Sequence, residues 1–317
     1  MHGLFVFNKP TGVSSAGFLN HIKRVLSTLA QSGEKQLRIG HGGTLDPFAT
    51  GVLIVGVGRE YTRLLHDLLN TEQKEYQATI ILGADSDTDD CMGIITPRVS
   101  SVPPSKEDIK KAVAQVAAQE TQTPPAISAV KIHGVPAYAR VRRGESVSLS
   151  QKSATVFSYS ISSISLSKKQ TSFSITLRVS SGFYIRSFAR DIGNVLGVGG
   201  YVSELKRLSV GEFSLFRALD INEVLSGKIE LFARISGGVQ GVGFRSYALK
   251  MAQNWPITGF VRNSGENSVE IVAQGYLGDL GRFLDAVKKG PQEAHIESVF
   301  DYFRKPSEVF SSFELMR

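Results

Sequence analysis

The chain is nearly free of cysteine. Its one thiol, Cys91, excludes an internal disulfide framework and any metal cluster built on cysteine. A chain of this kind is expected in a reducing cytoplasm. Long apolar runs are missing as well. Nothing approaches the roughly 18 consecutive apolar residues of a membrane span, and no basic-then-apolar leader opens the sequence. Membrane-spanning and disulfide-scaffold classes are thereby set aside. No Cys/His cluster stands at metal-ligand spacing, so neither metal nor cofactor is expected, and there are no internal repeats.

What is present is an ordinary globular composition, 42% apolar and 21% charged over 317 residues, long enough for two domains. The net charge of +7 is unevenly spread. Residues 1–228 hold 26 Lys/Arg and 19 Asp/Glu, a balance of +7, whereas residues 229–317 hold 10 and 10, a balance of zero. A basic excess suits a phosphate-rich partner, because neutralised phosphates release counterions. Taken alone it is equally compatible with a basic surface that binds no nucleic acid.

Periodicity predicts a mixed α/β domain first. Ser14 can cap a helix running to about Ala30, with Phe18, Ile22, Val25, Leu26 and Leu29 on one face. A glycine-rich stretch, Gly40 to Pro47, leads into the apolar segment Gly51–Val57, and Lys74–Gly83 reads as a strand. Ser105 and Asp108 form a capping box for a helix carrying Ile109, Val113 and Val116. Phe157, Tyr159 and Ile161 alternate with serines, and Phe173, Ile175, Leu177 and Val179 alternate again after Lys168-Lys169-Gln170, which predicts a hairpin. The stretch Leu225-Ser226-Gly227-Lys228 reads as a short joint. Beyond it the order strand, helix, strand, strand, helix, strand, from Leu231 to Phe303, is the ferredoxin-like βαββαβ motif. The expected fold class is therefore α/β (α+β), with domains at 1–226 and 229–317.

Asp46 lies between Leu45 and Pro47 in a turn dense with glycine, where proline fixes φ and glycine permits close backbone approach. By itself such an acid is commonly a turn aspartate bonding its own backbone. Its neighbours point elsewhere. The segment His41-Gly42-Gly43-Thr44-Leu45-Asp46-Pro47-Phe48-Ala49-Thr50-Gly51-Val52-Leu53 resembles the catalytic motif of the tRNA pseudouridine synthase B (TruB) family. Further similar blocks follow in family order: Asn8–Ser15, Lys74-Glu75-Tyr76 with Leu82-Gly83, Asp85–Asp90, Gln122–Lys131, Ser181–Ser187 and Leu205–Leu208. The resemblance spans about residues 1–220. It implies a pseudouridine-synthase mixed-sheet fold that converts uridine to pseudouridine in the T-loop of tRNA. Asp46 would be the carboxylate nucleophile, ionised and oriented by Arg186. Tyr76 would stack on the target base, Tyr184 and Leu205 would help hold the uridine, and His41 would fill or brace the space it leaves. Tyr184, two residues before Arg186, is expected on the same sheet face as it. The small RNA-binding module with which the family usually ends is not recognisable here.

A second motif follows the joint. Gly237 to Arg245 lies between a strand and a helix, and its Val239-Gln240-Gly241-Val242-Gly243 core can present successive N–H groups to an anion. A tight connection would explain the glycines equally well. About eighteen residues after Arg245 comes Gly259-Phe260-Val261-Arg262-Asn263. The pair resembles acylphosphatase, over about residues 229–317. That resemblance implies that Arg245 binds phosphoryl oxygens and Asn263 orients the attacking water on a small acyl phosphate. The expected whole is a cytoplasmic, monomeric, bifunctional isomerase and hydrolase acting on tRNA and on acyl phosphates. Two alternatives stay open: an RNA-binding protein whose aspartate chemistry is incidental, and a C-terminal domain that is a non-catalytic accessory module.

Overall fold

The computed structural model describes residues 2–29, 37–71, 73–98, 103–167 and 170–316. In chain order its principal elements are β1 (Gly3–Lys9), α1 (Ser15–Leu29), β2 (Ile39–Gly42), β3 (Thr50–Val57), α2 (Arg59–Thr71), β4 (Lys74–Leu82), α3 (Lys106–Ala117), β5 (Val156–Leu166), β6 (Thr171–Val179), α4 (Ile185–Val195), β7 (Gly200–Val210), α5 (Ile221–Ser226), β8 (Ile229–Gly238), α6 (Phe244–Ala252), β9 (Thr258–Asn263), β10 (Ser268–Gly275), α7 (Leu277–Val287), β11 (His295–Arg304) and β12 (Phe313–Leu315). The expected mixed α/β class is what this order describes. Contacts group residues 1–47, 51–69 and 213–317 into one compact unit, and 48–50 with 70–212 into another.

In the second unit the strands run β5-β6-β4-β7, all antiparallel. Phe173, Ile175, Leu177 and Val179 on β6 are essentially unexposed, as their alternation predicts. The outer strand behaves otherwise: Phe157 and Tyr159 on β5 stay 50% and 40% exposed. This strand is the edge of the sheet and carries two bulges. The turn residues Lys168 and Lys169 lie outside the described residues, as does Ala30. The capping box on α3 forms with both of its hydrogen bonds, and Ile109, Val113 and Val116 are buried beneath it.

In the first unit the strands run β2-β3-β1-β11-β8-β10-β9-β12. Within that order β11-β8-β10-β9, with α6 and α7, is the ferredoxin-like sandwich, with antiparallel registers Phe232↔Tyr302 and Phe232↔Val272 on either side of β8. The sandwich does not end at β11. That strand also pairs in parallel with β1, Leu4 opposite Tyr302 and Phe5 opposite Phe303, and the two phenylalanine rings stack at 4.7 Å. One continuous core joins Phe5, Phe7, Phe18, Ile22 and Leu26 to Leu231, Ile271, Phe283 and Phe303. Fully burying each such side chain contributes roughly 1.5–3 kcal/mol.

Polar groups are sewn into the same seam. Asp301, 2% exposed, accepts the Tyr61 hydroxyl at 2.8 Å and the Lys288 ammonium at 2.8 Å. Burial raises the Asp301 pKa above the usual carboxylate range, against the opposing pull of Lys288. Burial, then the nearby Asp301 charge, pushes the Tyr61 phenol up as well. Glu230, 1% exposed, accepts from Arg304 at 2.8 Å, from Gln274 at 2.9 Å and from Arg217. The stretch read as a joint closes the helix α5, which Asp220 and Glu223 cap reciprocally.

Candidate active sites

Asp46 sits half-buried in the turn after β2. This turn has no strand partner, so its backbone groups need others. Segment 9–15 supplies them. Pro47 O accepts Gly12 N at 2.8 Å and the Lys9 ammonium at 3.4 Å. Lys9 is fully buried, and its remaining protons go to Pro10 O at 2.8 Å and Val13 O at 2.7 Å. On the other side of Asp46, the Ser15 hydroxyl donates to Leu45 O at 2.9 Å and accepts from Leu45 N at 2.9 Å. The helix start is itself fixed, because Ser14 Oγ accepts from Gly17 N at 3.1 Å, the cap that the sequence predicts. His41 is half-buried on β2, opposite Val55.

Tyr76, Tyr184, Arg186 and Leu205 belong to the other unit. Tyr76 on β4 is opposite Arg207 on β7, and Ala78 is opposite Leu205, so Tyr76, Leu205 and Arg207 share one face of the sheet. All three are buried. The expectation that Tyr184 and Arg186 share a sheet face is overturned. Ser180 to Phe183 forms a turn, and α4 starts at Ile185 with Tyr184 as its N-cap. Two-residue alternation holds only along a strand, and a helix turns residue i+2 away. The Gln122 side chain fixes this start, accepting Tyr184 N at 2.8 Å and donating to Tyr184 O at 3.0 Å.

Arg186, 5% exposed, reaches Asp90 at 3.6 Å, Thr88 O at 3.0 Å and Ile127 O at 2.9 Å. Asp90, equally buried, also accepts from the Thr88 hydroxyl at 2.6 Å and Met92 N at 2.9 Å. One turn on, Arg190 pairs with Asp89 at 3.0 Å and donates to Thr123 O at 2.9 Å. Burial holds the Asp89 carboxyl above its usual range, with Arg190 pulling it down. Burial likewise raises the Cys91 thiol, with the Asp90 charge adding to it, which makes it a poor nucleophile. Sequence reasoning missed Asp90 and Gln122 as site residues. Both stood inside recognised blocks, but nothing in the sequence distinguishes Asp90 from Asp85, Asp87 and Asp89 as the partner of Arg186.

The second site is assembled from β8, α6 and the β9–β10 turn. Gly241 and Gly243 have φ of +77° and +74°, which a side chain would strain, and Gly243 caps α6. Val239 is buried and Val242 packs on the core, so the backbone between them faces outward. Gln240 ties this loop across to the turn, donating to Gly265 O and Ser268 O at 2.9 Å each. Arg245 lies in the first turn of α6 and donates to Met316 O at 3.5 Å. Asn263 is exposed at the end of β9, opposite Val269. The N-terminus of α6, a loop of amides and an arginine make an electropositive cradle suited to a phosphoryl group.

Comparison with known proteins bears on both sites. The model of the TruB family pseudouridylate synthase N-terminal domain matches residues 30–185, and that of the tRNA pseudouridylate synthase B C-terminal domain matches residues 186–230. The tRNA pseudouridine synthase B of Paenarthrobacter aurescens is 36% identical over 226 residues, covering 71% of this chain and 70% of that protein. The chain belongs to the tRNA pseudouridine synthase B family. A synthase of the same name from Cutibacterium acnes is 38% identical over 216 residues, 68% of this chain and 70% of the other. The isomerase class expected from the Asp46 motif is thus established, and the RNA-binding protein with incidental aspartate chemistry is set aside. The acylphosphatase family model matches residues 231–315, so this synthase carries an acylphosphatase domain. The crystal structure of acylphosphatase from Bacillus subtilis aligns with 28% of this chain and 99% of its own, at 28% identity and a TM-score of 0.27.

Proposed function

We propose that this synthase isomerises uridine in the T-loop of tRNA, with Asp46 as nucleophile. The observation that carries the reading is the turn itself: Leu45 before Asp46 is clamped by the buried Ser15 hydroxyl, and Pro47 after it by the Gly12 amide and the buried Lys9. A carboxylate presented this rigidly suits attack on one fixed atom. Asp46 attacks C1′ as the N1–C1′ bond breaks, and the freed base turns and bonds C1′ through C5, which displaces the Asp46 carboxylate. The C5 proton leaves to solvent and N1 gains one, so the product is an isomer with no net redox change. Tyr76 stacks on the base and shuttles that proton. Arg186 supplies positive charge for the ionised carboxylate, with Asp90 and Thr88 O setting the guanidinium plane. Tyr184, Leu205 and His41 hold the extruded uridine, whose unstacking costs a few kcal/mol. The test is tritium release from an unmodified tRNA transcript labelled at uridine C5. Wild type releases tritium and Asp46→Asn does not; no release by saturating wild type would sink the reading.

The second domain, taken as residues 229–317 beside a synthase domain of residues 1–226, is proposed to hydrolyse small acyl phosphates. The loop amides and Arg245 bind the phosphoryl oxygens and Asn263 orients the water, giving a carboxylate and phosphate. A non-catalytic accessory role has one observation in its favour, the seam at β1 and β11, which by itself gives the domain a structural use. Hydrolysis of benzoyl phosphate that Arg245→Gln abolishes decides for the enzyme. The same reading takes the protein as a cytoplasmic monomer.

A further inference from the structure

We infer that Ser15 is the positioning residue for Asp46, acting through the backbone of Leu45. The inference rests on Asp46 being the nucleophile. Three observations converge on it. One hydroxyl satisfies both backbone groups of the residue that precedes Asp46, with donor and acceptor distances of 2.9 Å each. Ser15 is 1% exposed and Leu45 is 3% exposed, so water cannot take over either bond. Ser15 is also the first residue of α1, whose start is capped by Ser14 and whose Phe18, Ile22 and Leu26 are anchored in the core. The hydroxyl is therefore a fixed peg.

Pro47 has no N–H, and its carbonyl is held by Gly12 and Lys9. Asp46 thus stands between two fixed peptide units. Without the peg, Leu45 loses both of these backbone bonds, and its peptide can rotate and carry the carboxylate with it. A shift near 1 Å is enough to lower a rate about 100-fold. Binding of the tRNA depends on other surfaces and is untouched. Ser15 does not contact substrate in this scheme; it sets where the Asp46 carboxylate stands.

The experiment measures steady-state tritium release with unmodified tRNA for wild type, Ser15→Ala, Ser15→Cys, Ser14→Ala and Asp46→Asn, well below each unfolding midpoint. The expected order in kcat is Ser15, then Cys, then Ala, because a thiol is longer and bonds more weakly. Ser15→Ala should lose between about 10- and 100-fold in kcat with KM within twofold of wild type. Ser14→Ala removes the helix cap but keeps both hydrogen bonds between Ser15 and Leu45, so it should lower the unfolding midpoint and cost kcat far less than Ser15→Ala does. A residue that merely stabilises the fold would give Ser14→Ala and Ser15→Ala the same kinetic behaviour. Wild-type kcat in folded Ser15→Ala, with Asp46→Asn inactive, overturns the inference. Should Ser15→Ala fail to fold, wild-type kcat in Ser15→Cys overturns it equally. Activity in Asp46→Asn would instead overturn the nucleophile on which it rests.

Discussion

The Asp46 turn and the phosphate loop solve one problem, a backbone held still outside regular structure, by opposite means. Around Asp46 the constraint comes from the side chains of Ser15 and Lys9, 30 and 38 residues away, and from the Gly12 amide. In the loop from Val239 to Gly243 it comes from within, through left-handed glycines and the helix that starts at Phe244. Gln240 adds a tie to a turn 25 and 28 residues on. A nucleophile must stand at one point in space, whereas an anion cradle needs only amides turned the same way. The first demands outside braces, and the second can be written locally.

Single substitutions can break this contrast. The largest effect is expected from Asp46→Asn, which should take tritium release to the uncatalysed level while benzoyl phosphate hydrolysis stays unchanged. Arg245→Gln should do the reverse, lowering hydrolysis about 100- to 1,000-fold, the usual cost of losing a charge-stabilising donor, with isomerisation intact. The seam comes next. Asp301→Ala leaves the Tyr61 hydroxyl and Lys288 without their carboxylate, at about 2–3 kcal/mol. Denaturant unfolding followed by the single tryptophan, Trp255 in the sandwich, and by amide exchange in β1 should show the same loss in both places. A loss confined to the sandwich would refute a shared seam.

Two smaller effects sharpen the comparison. Gln240→Ala removes two hydrogen bonds between loop and turn, about 1–2 kcal/mol together, and should weaken inhibition by inorganic phosphate about tenfold. The last concerns pH. Asp301 is raised in the folded chain, so folding takes up a proton between the usual carboxylate range and that raised value. Its contribution to stability therefore grows as pH falls through this window and is lost as pH rises. Lys288, Tyr61, Glu60 and Asp285 are the charged and titratable groups that bear on Asp301 and Tyr61, and all remain in Asp301→Asn. Asp89 and Asp191 shift the same way in both proteins and cancel. The urea midpoint of wild type should rise relative to that of Asp301→Asn on acidification; a constant difference would refute it.

Much of the fold was legible residue by residue. The capping box at Ser105, the cap at Ser14, the buried alternation of β6 and the βαββαβ order all rest on patterns within a dozen residues. The motifs around Asp46 and Arg245 were legible for the same reason. Tyr184 was misplaced because a strand-like alternation ends in a turn that the Gln122 side chain closes from 62 residues away. The alternation of Phe157 and Tyr159 with serines placed them on a strand but did not show that they stay half exposed on the edge strand.

The sequence alone determined the chemistry on offer: a carboxylate before a proline, a glycine loop ending in arginine, and the helices and strands that carry them. Tertiary structure decided which groups stand around those residues. It chose Asp90 among the aspartates for Arg186, set Ser15 beneath Leu45, and ran β1 alongside β11 so that synthase and acylphosphatase share one core. Periodicity and turn chemistry are properties of neighbouring residues and can be read in order. A hydrogen bond across 30 residues or a strand pair across almost 300 exists only after the intervening chain has folded.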